Sequence, residues 1–356
     1  MMSPRRICAG ACGERAGAAP FAKVGFVPAT PQSLQILGSG AAVPRRKVTS
    51  EALDSRLGKT PGWIYRHSGV AERYICDEED QVDLAVAAAR QAMAEAQTDP
   101  VEISILLFAA AVPYQSIPAT APLVQQRLGI ADGACMAFDI NSTCLSFMTA
   151  LDVARRMLAP DQKALVVASE VASRGLPWDS DPATAALFGD GAAAVVISGT
   201  GEARVLASRM ETYPSAYEAC SLASGGTRFD YHKDREGFDR HSLFRMDGEV
   251  LYRLTVRHFE PFLDRLLDEA GWRRDEVELV VPHQASPGAL AHLARRCGFA
   301  ADTVVNIVRD YGNQIAASIP TALHHARISQ RARSGMRTLV LGTSAGVSLG
   351  GMALIL

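Results

Sequence analysis

Apolar residues gather along this chain in two kinds of run. Short unbroken stretches such as LVVPH (279–283), ALVVAS (164–169) and TLVLG (338–342) carry no polar alternation, which predicts strands buried on both faces of a sheet. Other stretches space their apolar positions at the helical period. VDLAVAAARQAMAEAQ (82–97) is the plainest, and its apolar stripe predicts a helix laid over a core. Glycine-rich turns at FGDGAAAVVIS (188–198) and LGTSAGVSLGGMALIL (341–356) each close on a final strand pair. No Lys-Ser/Thr follows their glycines, so neither reads as a phosphate loop.

The pattern also repeats. ISILLFAAAVPYQSIPATAPLVQQRLGI (103–130) is an apolar strand, a polar loop and an amphipathic helix, and VELVVPHQASPGALAHLARRCGF (277–299) has the same order. MAFDINSTCLSFMTALDVARRML (136–158) is matched by VVNIVRDYGNQIAASIPTALHHA (304–326), each a strand, a polar corner and a helix. KALVVASE (163–170) is matched by RTLVLGTSAG (337–346). Residue 277 lies 174 positions after 103, residue 337 lies 174 after 163, and Asn313 lies 169 after Cys144. Three ordered units at a nearly shared spacing predict a duplication. The two halves would pack around a common core of helices, with the corner after each strand facing the seam. The expected boundaries are a flexible N-terminal extension over 1–32, a first half over 33–200 and a second over 201–356.

Composition narrows the function classes. The 356 residues suit one large domain or two fused ones, and 48% hydrophobic content with 29 glycines suits an α/β protein with many tight turns. A net charge of −2 gives no basis for nucleic acid or an anionic membrane as main partner. Seven scattered cysteines, at 8, 12, 76, 135, 144, 220 and 297, fit free thiols in a reducing cytoplasm better than a disulfide framework. No run of 18 apolar residues occurs, so no membrane span is expected. No metal site is expected either: Cys8 and Cys12 have no second ligand pair, and the two Asp of WDSDPATA (178–185) have no further oxygen ligands in sequence. His324 and His325, in TALHHARIS, have no acidic or Cys partner close by and read as helix surface.

Candidate chemistry lies at the corners. Taken singly, Cys144 reads as a small buried thiol, His283 as a satisfied core histidine and Asn313 as a turn residue after Gly312. Together they are one thiol, one imidazole and one carboxamide at corners that the duplication brings to one seam. Only a thiolate attacks well, and Cys144 opens the helix pattern CLSFMTALDVARRML (144–158), where N–H groups at a helix start would lower its pKa. That set suits acyl transfer from thioesters, with His283 and Asn313 free to donate to an oxyanion.

From about residue 34 to the end, the chain resembles the β-ketoacyl-[acyl-carrier-protein] synthase III family of thiolase-fold condensing enzymes. The resemblance is carried by LGSGAAVPRRKVTSEAL, TPGWIYRHSGVAERYI, the corner around Cys144, FGDGAAAVV, VVPHQAS, YGNQIAASIPTAL and the Gly-rich end. It implies a five-layered αβαβα thiolase-like fold and a homodimer whose partner lines part of the acyl pocket. It further implies a catalytic triad of Cys144, His283 and Asn313, with an oxyanion hole from the N–H groups of Cys144 and Gly346. Acyl-CoA and a malonyl thioester would be the substrates, with no cofactor of the protein's own. Trp63 matches the family's coenzyme A-stacking Trp, while the Arg that usually pairs with it is Pro182 here. Arg253, Arg295 and Arg296 match basic positions of the face that docks acyl carrier protein, and Gly288 stands where that face usually has another Arg.

Retention of both His283 and Asn313 favours decarboxylative C–C bond formation. The rivals are acyl transfer or head-to-head condensation of two acyl chains in the same fold, and an inert scaffold. A degradative thiolase would need a second active Cys in the C-terminal Gly-rich segment, which has none.

Overall fold

A computed structural model describes residues 32–356. Cys8, Cys12 and nearly all of the segment expected to be a flexible extension lie outside the described residues. The first half opens with β1 (Gln32–Ser33) and β2 (Gln35–Ala42). A small antiparallel pair, β3 (Lys47–Thr49) with β4 (Glu72–Tyr74), brackets α1 (Ser50–Arg56) and α2 (Trp63–Ser68). Then come α3 (Gln81–Glu95), β5 (Ile103–Ala109), α4 (Thr120–Leu128), β6 (Met136–Ile140), α5 (Ser146–Met157) and β7 (Lys163–Glu170), with α6 (Pro182–Ala185) leading into β8 (Gly191–Ser198). The second half runs through β9 (Arg204–Thr212) to the short strands β10 (Cys220–Ser221) and β11 (Arg245–Met246), between which lies α7 (Arg235–Arg240). It continues with α8 (Gly248–Ala270), β12 (Leu279–Pro282), α9 (Pro287–Cys297), α10 (Val308–Tyr311) and α11 (Ser318–Ile328), and ends on β13 (Arg337–Ser344) and β14 (Ser348–Ile355).

The expected duplication is visible in the sheets. One has the order β2-β8-β7-β5-β6 and the other β1-β9-β14-β13-β12. In the first, β5 runs parallel to β7 and β7 antiparallel to β8; in the second, β12 runs parallel to β13 and β13 antiparallel to β14. Even the register repeats. Leu107 faces Val166, and Val281 faces Val340, each member of the second pair 174 positions after its twin. The twin of β6 is reduced to a single parallel bridge between Val280 and Val304.

Alternation along each strand divides the core into layers. Leu106, Phe108, Leu165 and Val167 pack outward against α3 and α4. Their neighbours Ile105, Leu107, Val166 and Ala168 pack inward, together with Val281, Val340 and Met352 of the other sheet, against α5 and α11. Val280, Leu339 and Leu349 face the outer helix α8, with Phe262 and Leu266. The order is therefore helix, sheet, helix, sheet, helix: the five-layered thiolase-like fold. Helix α3 packs tightly across β2, where a Cβ on Gly40 would meet the Ala88 carbonyl oxygen at 2.2 Å.

Helix α3 occupies the expected stretch and starts with a capping box: Asp80 accepts from Asp83 N–H, and the Asp83 side chain accepts from Asp80 N–H. His324 and His325 differ from expectation. Both lie within α11 and are half-buried, because α11 is a central-layer helix rather than a surface one. His324 Nδ1 sits 3.0 Å from Ser39 Oγ, a hydroxyl also bonded to Glu95, and the His325 ring packs edge-on against Tyr311. The acid near His324 comes from another element, α3, which sequence neighbours do not reveal. Among the described residues, no helix is long and apolar enough to cross a membrane.

Candidate active site

Two corners meet at the seam and share one hydrogen-bonding pattern. In the first, Thr143 N–H donates to Asn141 Oδ1 at 2.9 Å and Ser142 N–H to Ser146 Oγ at 2.9 Å. In the second, Ile315 N–H donates to Asn313 Oδ1 at 2.8 Å and Gln314 N–H to Ser318 Oγ at 3.0 Å. Thr143 and Ile315 have φ of 51° and 50°, a left-handed conformation costly for β-branched residues, held here by these paired bonds. The two amides also bond alike: Asn141 Nδ2 donates to Ala111 O at 2.9 Å, Asn313 Nδ2 to Ala285 O at 3.4 Å.

This pattern corrects the expected equivalence of Cys144 and Asn313. The twin of Asn313 is Asn141, 172 positions earlier, and the twin of Cys144 is Ala316. The corners correspond, but their reactive residues stand three positions apart. Strand register and corner register differ because the segments between them differ in length.

The reactive groups nevertheless converge. Cys144, His283 and Asn313 all stand on the wall of one cavity of about 1210 Å³. His283 follows β12 directly, and its N–H donates to Leu341 O at 2.7 Å. The next residue locks that corner: Gln284 Nε2 donates to Pro282 O and Val305 O, while its Oε1 accepts from Ile307 and Val308 N–H. The Asn313 corner is tied across the seam to FGDG. Asn313 N–H donates to Leu187 O at 2.8 Å, and Gly189 N–H to Asn313 O at 3.1 Å. Gly189 must be glycine there, since a Cβ would lie 2.3 Å from Tyr311 O.

Electrostatics assign two protonation states at neutral pH. Burial lowers His283 to about 4, and its Nδ1 is buried without a hydrogen-bond partner, so the ring is neutral. Cys144 departs from expectation. It lies in a 3₁₀ turn, Thr143–Leu145, one turn before α5 starts at Ser146, rather than at the first position of the helix. Burial pushes its thiol up, and nearby Cys220 and Glu170 push the same way; only the N–H groups of Ala345 and Cys144 itself oppose them. A helix start is too weak a donor to offset this apolar surrounding without a cation.

The remaining expected residues are placed as follows. Gly346 has φ 114°, but its neighbours Ala345 and Val347 form the cavity wall, and the Ala345 N–H is the second backbone donor at the sulfur. Trp63 opens α2 away from the cavity wall. Its ring stacks on His67 at 3.9 Å, and the Lys59 ammonium lies 5.0 Å over it. Pro182 begins α6, capped by Asp181. Arg253 on α8 pairs with Glu249 at 3.5 Å, Arg296 on α9 pairs with Glu260 at 3.3 Å, and Arg295 is exposed. Only Arg296 of the three reaches the cavity wall. Among the wall residues that the sequence reading did not single out are Cys220 and Glu170. An acid ending an otherwise apolar strand, KALVVASE, was the available signal for Glu170.

Sequence models of 3-oxoacyl-[acyl-carrier-protein] synthase III match residues 138–214 and, for its C-terminal part, 267–356. The β-ketoacyl-[acyl-carrier-protein] synthase III of Neisseria gonorrhoeae is 32% identical over 334 residues, covering 91% of this chain and 99% of that protein. The enzyme of the same name from Rhizorhabdus wittichii is 34% identical over 324 residues, covering 90% and 98%. The solved 3-oxoacyl-[acyl-carrier-protein] synthase III of Aquifex aeolicus superposes with a TM-score of 0.82 at 31% identity, over 91% of this chain and all of that one. OleA of Xanthomonas campestris shares the fold, with a TM-score of 0.79 at 22% identity over 91% and 99% of the two chains. At 32–34% identity over about 90% of its length, the chain belongs to the β-ketoacyl-[acyl-carrier-protein] synthase III family of acyl-transferring condensing enzymes.

Proposed function

We propose that this condensing enzyme takes an acyl group from a thioester onto Cys144 and joins it to a malonyl thioester with loss of CO2. The observation that carries this reading is the convergence of Cys144, neutral His283 and Asn313 on one cavity wall. Because burial keeps the thiol protonated, the proton must leave as sulfur attacks. Neutral His283 has a basic ring nitrogen to receive it and can return it to the departing thiolate. The new C–S bond forms as the thioester's own C–S bond breaks. The N–H groups of Cys144 and Ala345 face the carbonyl oxygen that gains charge.

In the second half-reaction the malonyl carboxylate leaves as CO2, and its electron pair passes into an enolate. Asn313 uses one amide hydrogen on Ala285 O and has the second free for the enolate oxygen, beside the His283 ring. The enolate carbon then attacks the Cys144 acyl carbon, the bond to sulfur breaks, and the released thiolate takes a proton from solvent. Donors of this kind are worth roughly 3–4 kcal/mol each in comparable sites.

Arg253, Arg295 and Arg296 are the proposed contacts for an acidic acyl carrier protein. A homodimer is also part of the reading. The loop after β5 supplies cavity wall from Ala111 to Ser116, yet exposes Val112 at 45%, Tyr114 at 42% and neighbouring Ile117 at 87%, an apolar face suited to a second copy. The size of the cavity, above the usual 300–1,000 Å³ of ligand pockets, favours long acyl chains and keeps condensation of two acyl chains as the second reading.

Intact mass spectrometry after incubation with a panel of acyl-CoAs tests the scheme. A thioester adduct is expected on the wild type and not on Cys144→Ser. His283→Ala and Asn313→Ala should acylate, the former more slowly, and stall before condensation. Normal condensation by both variants would sink the assignment. Product formed from acyl-CoA alone, without malonyl thioester, would select the second reading.

A further inference from the structure

The seam holds a buried acid that this chemistry does not use. Glu170 ends β7, where Ala164, Val166 and Ala168 face the central helices, and the same parity turns Glu170 toward the seam. It is buried and stands on the wall of the catalytic cavity. Ala111 N–H donates to its Oε1 at 2.6 Å, and the N–H groups of Val112 and Ala316 act on the same carboxyl.

Those donors are twins of groups at the reactive corners. Ala316 stands 172 positions after Cys144, as Asn313 does after Asn141, and Ala111 stands 174 before Ala285 in the matching amide bonds. The duplication therefore repeats one backbone donor: the Cys144 N–H faces the cavity, and its twin, the Ala316 N–H, is occupied from within by Glu170, together with the N–H groups of Ala111 and Val112. The residue 174 positions after Glu170 is Ser344, which has no carboxylate to occupy the Cys144 N–H.

We propose that Glu170 is a positioning residue: its carboxyl occupies the anion hole at the second corner, clamps the Asn313 corner to the first half and sets the upper pH limit of Cys144 reactivity. The inference rests on the reading of Cys144 as nucleophile. Val112 and Ala111 belong to the first half and Ala316 to the second, so one side chain spans the seam three residues from Asn313. Burial raises Glu170 to about 8 and the Asp190 charge adds to this, against the three N–H groups. The other titratable or charged groups on its cavity are Cys144, Cys220, Arg174 and His283, with Tyr114, Tyr252, Glu260, His292, Arg296 and Cys297 also on the wall. Glu170 thus holds a proton at neutral pH; losing it above about pH 8 puts a negative charge beside the Cys144 sulfur.

Three variants test this: Glu170→Gln keeps the shape without the charge, Glu170→Asp keeps the charge on a shorter stem, and Glu170→Ala empties the hole. Alkylation of Cys144 by iodoacetamide, followed on its peptide by mass spectrometry across the pH range, reads the charge directly. The wild-type rate should flatten above about pH 8, while Glu170→Gln continues to climb and exceeds it about tenfold at the alkaline end, one pK unit of relief. Glu170→Asp should retain the break, which keeps the test valid if the Gln variant fails to fold. Sodium formate should raise the melting temperature of Glu170→Ala and restore part of its condensation rate, and leave the wild type unchanged. Superimposable alkylation profiles for wild type and Glu170→Gln, a missing break in Glu170→Asp, or no response of Glu170→Ala to formate would each overturn the proposal. Absence of an acyl adduct on wild-type Cys144 would instead strike the nucleophile assignment, since alkylation is run without an acyl donor and reports on the free thiol alone.

Discussion

Asn141 and Asn313 offer a controlled comparison, because they hold twin corners by the same bonds and only Asn313 stands on the cavity wall. Replacing Asn141 by alanine removes the acceptor of the Thr143 N–H and the donor to Ala111 O. Asn141 is exposed, so water takes over part of both roles and the expected cost is about 1–2 kcal/mol, near the usual net value of two hydrogen bonds. Asn313→Ala strips the acceptor of the Ile315 N–H and the Ser318 hydroxyl, and the donor to Ala285 O. Asn313 is buried, so these groups are left dry, and the expected cost is roughly 2–4 kcal/mol. The chemical readout should diverge much further. Asn141→Ala should condense within a few-fold of wild type, whereas Asn313→Ala should lose about 10²–10³ in the condensation rate, the value of one oxyanion donor. Urea unfolding gives the first pair of numbers and single-turnover mass spectrometry of the acyl-enzyme the second. Equal loss of condensation in the two variants would refute the reasoning, because the amide would then act only by holding its corner.

Three further outcomes are expected. His283 is lowered from 6.5 to about 4, so the unfolded chain binds more protons than the folded one between those values. Its contribution to stability should be complete above about pH 6.5 and fade as pH falls toward 4, a slope that His283→Gln should lack in urea unfolding. Gly40→Ala should destabilise by at least about 1–3 kcal/mol, since the added methyl meets backbone of α3 at 2.2 Å and no rotamer can move it. Thermal unfolding with little change in Tm would contradict that. Double charge reversal, Arg253→Glu with Arg295→Glu, should raise KM for malonyl thioester on a carrier protein but not on coenzyme A; an equal rise for both would exclude these residues as carrier contacts.

How far the sequence could be read depended on what fixes each feature. Strand identity and pairing were legible, because doubly buried strands show as apolar runs and the repeat carries its register at 174. The corner register was not. Matching the most reactive-looking residues placed Cys144 on Asn313, whereas the backbone is fixed by the Asn, the left-handed residue and the Ser that bond around the turn. Those anchors read as ordinary polar loop until the φ values are known. The thiol's electrostatics were misjudged for a related reason: a helix start is visible in sequence, but the Glu170 and Cys220 side chains that outweigh it arrive from 26 and 76 residues downstream. His324 failed in the same way, its Ser39 and Glu95 neighbours coming from the other half of the chain.

The duplication also explains why one site holds both a nucleophile and an enolate-binding pair. Each half supplies a corner whose Asn braces a left-handed residue, followed by a turn presenting a backbone N–H. In the first half the turn carries sulfur at Cys144, and Asn141 keeps only its bracing role outside the cavity wall. In the second half the turn carries a methyl group at Ala316, and there the Asn reaches the cavity while Glu170 closes the donor pocket. A carboxylate at position 344, on the same cavity wall, would stand by the Cys144 N–H as Glu170 stands by that of Ala316. A folded Ser344→Glu should therefore acylate Cys144 more slowly than wild type, because it places an anion where the carbonyl oxygen must gain charge. An acylation rate equal to wild type in a folded Ser344→Glu would show that the charge at 344 does not reach that place.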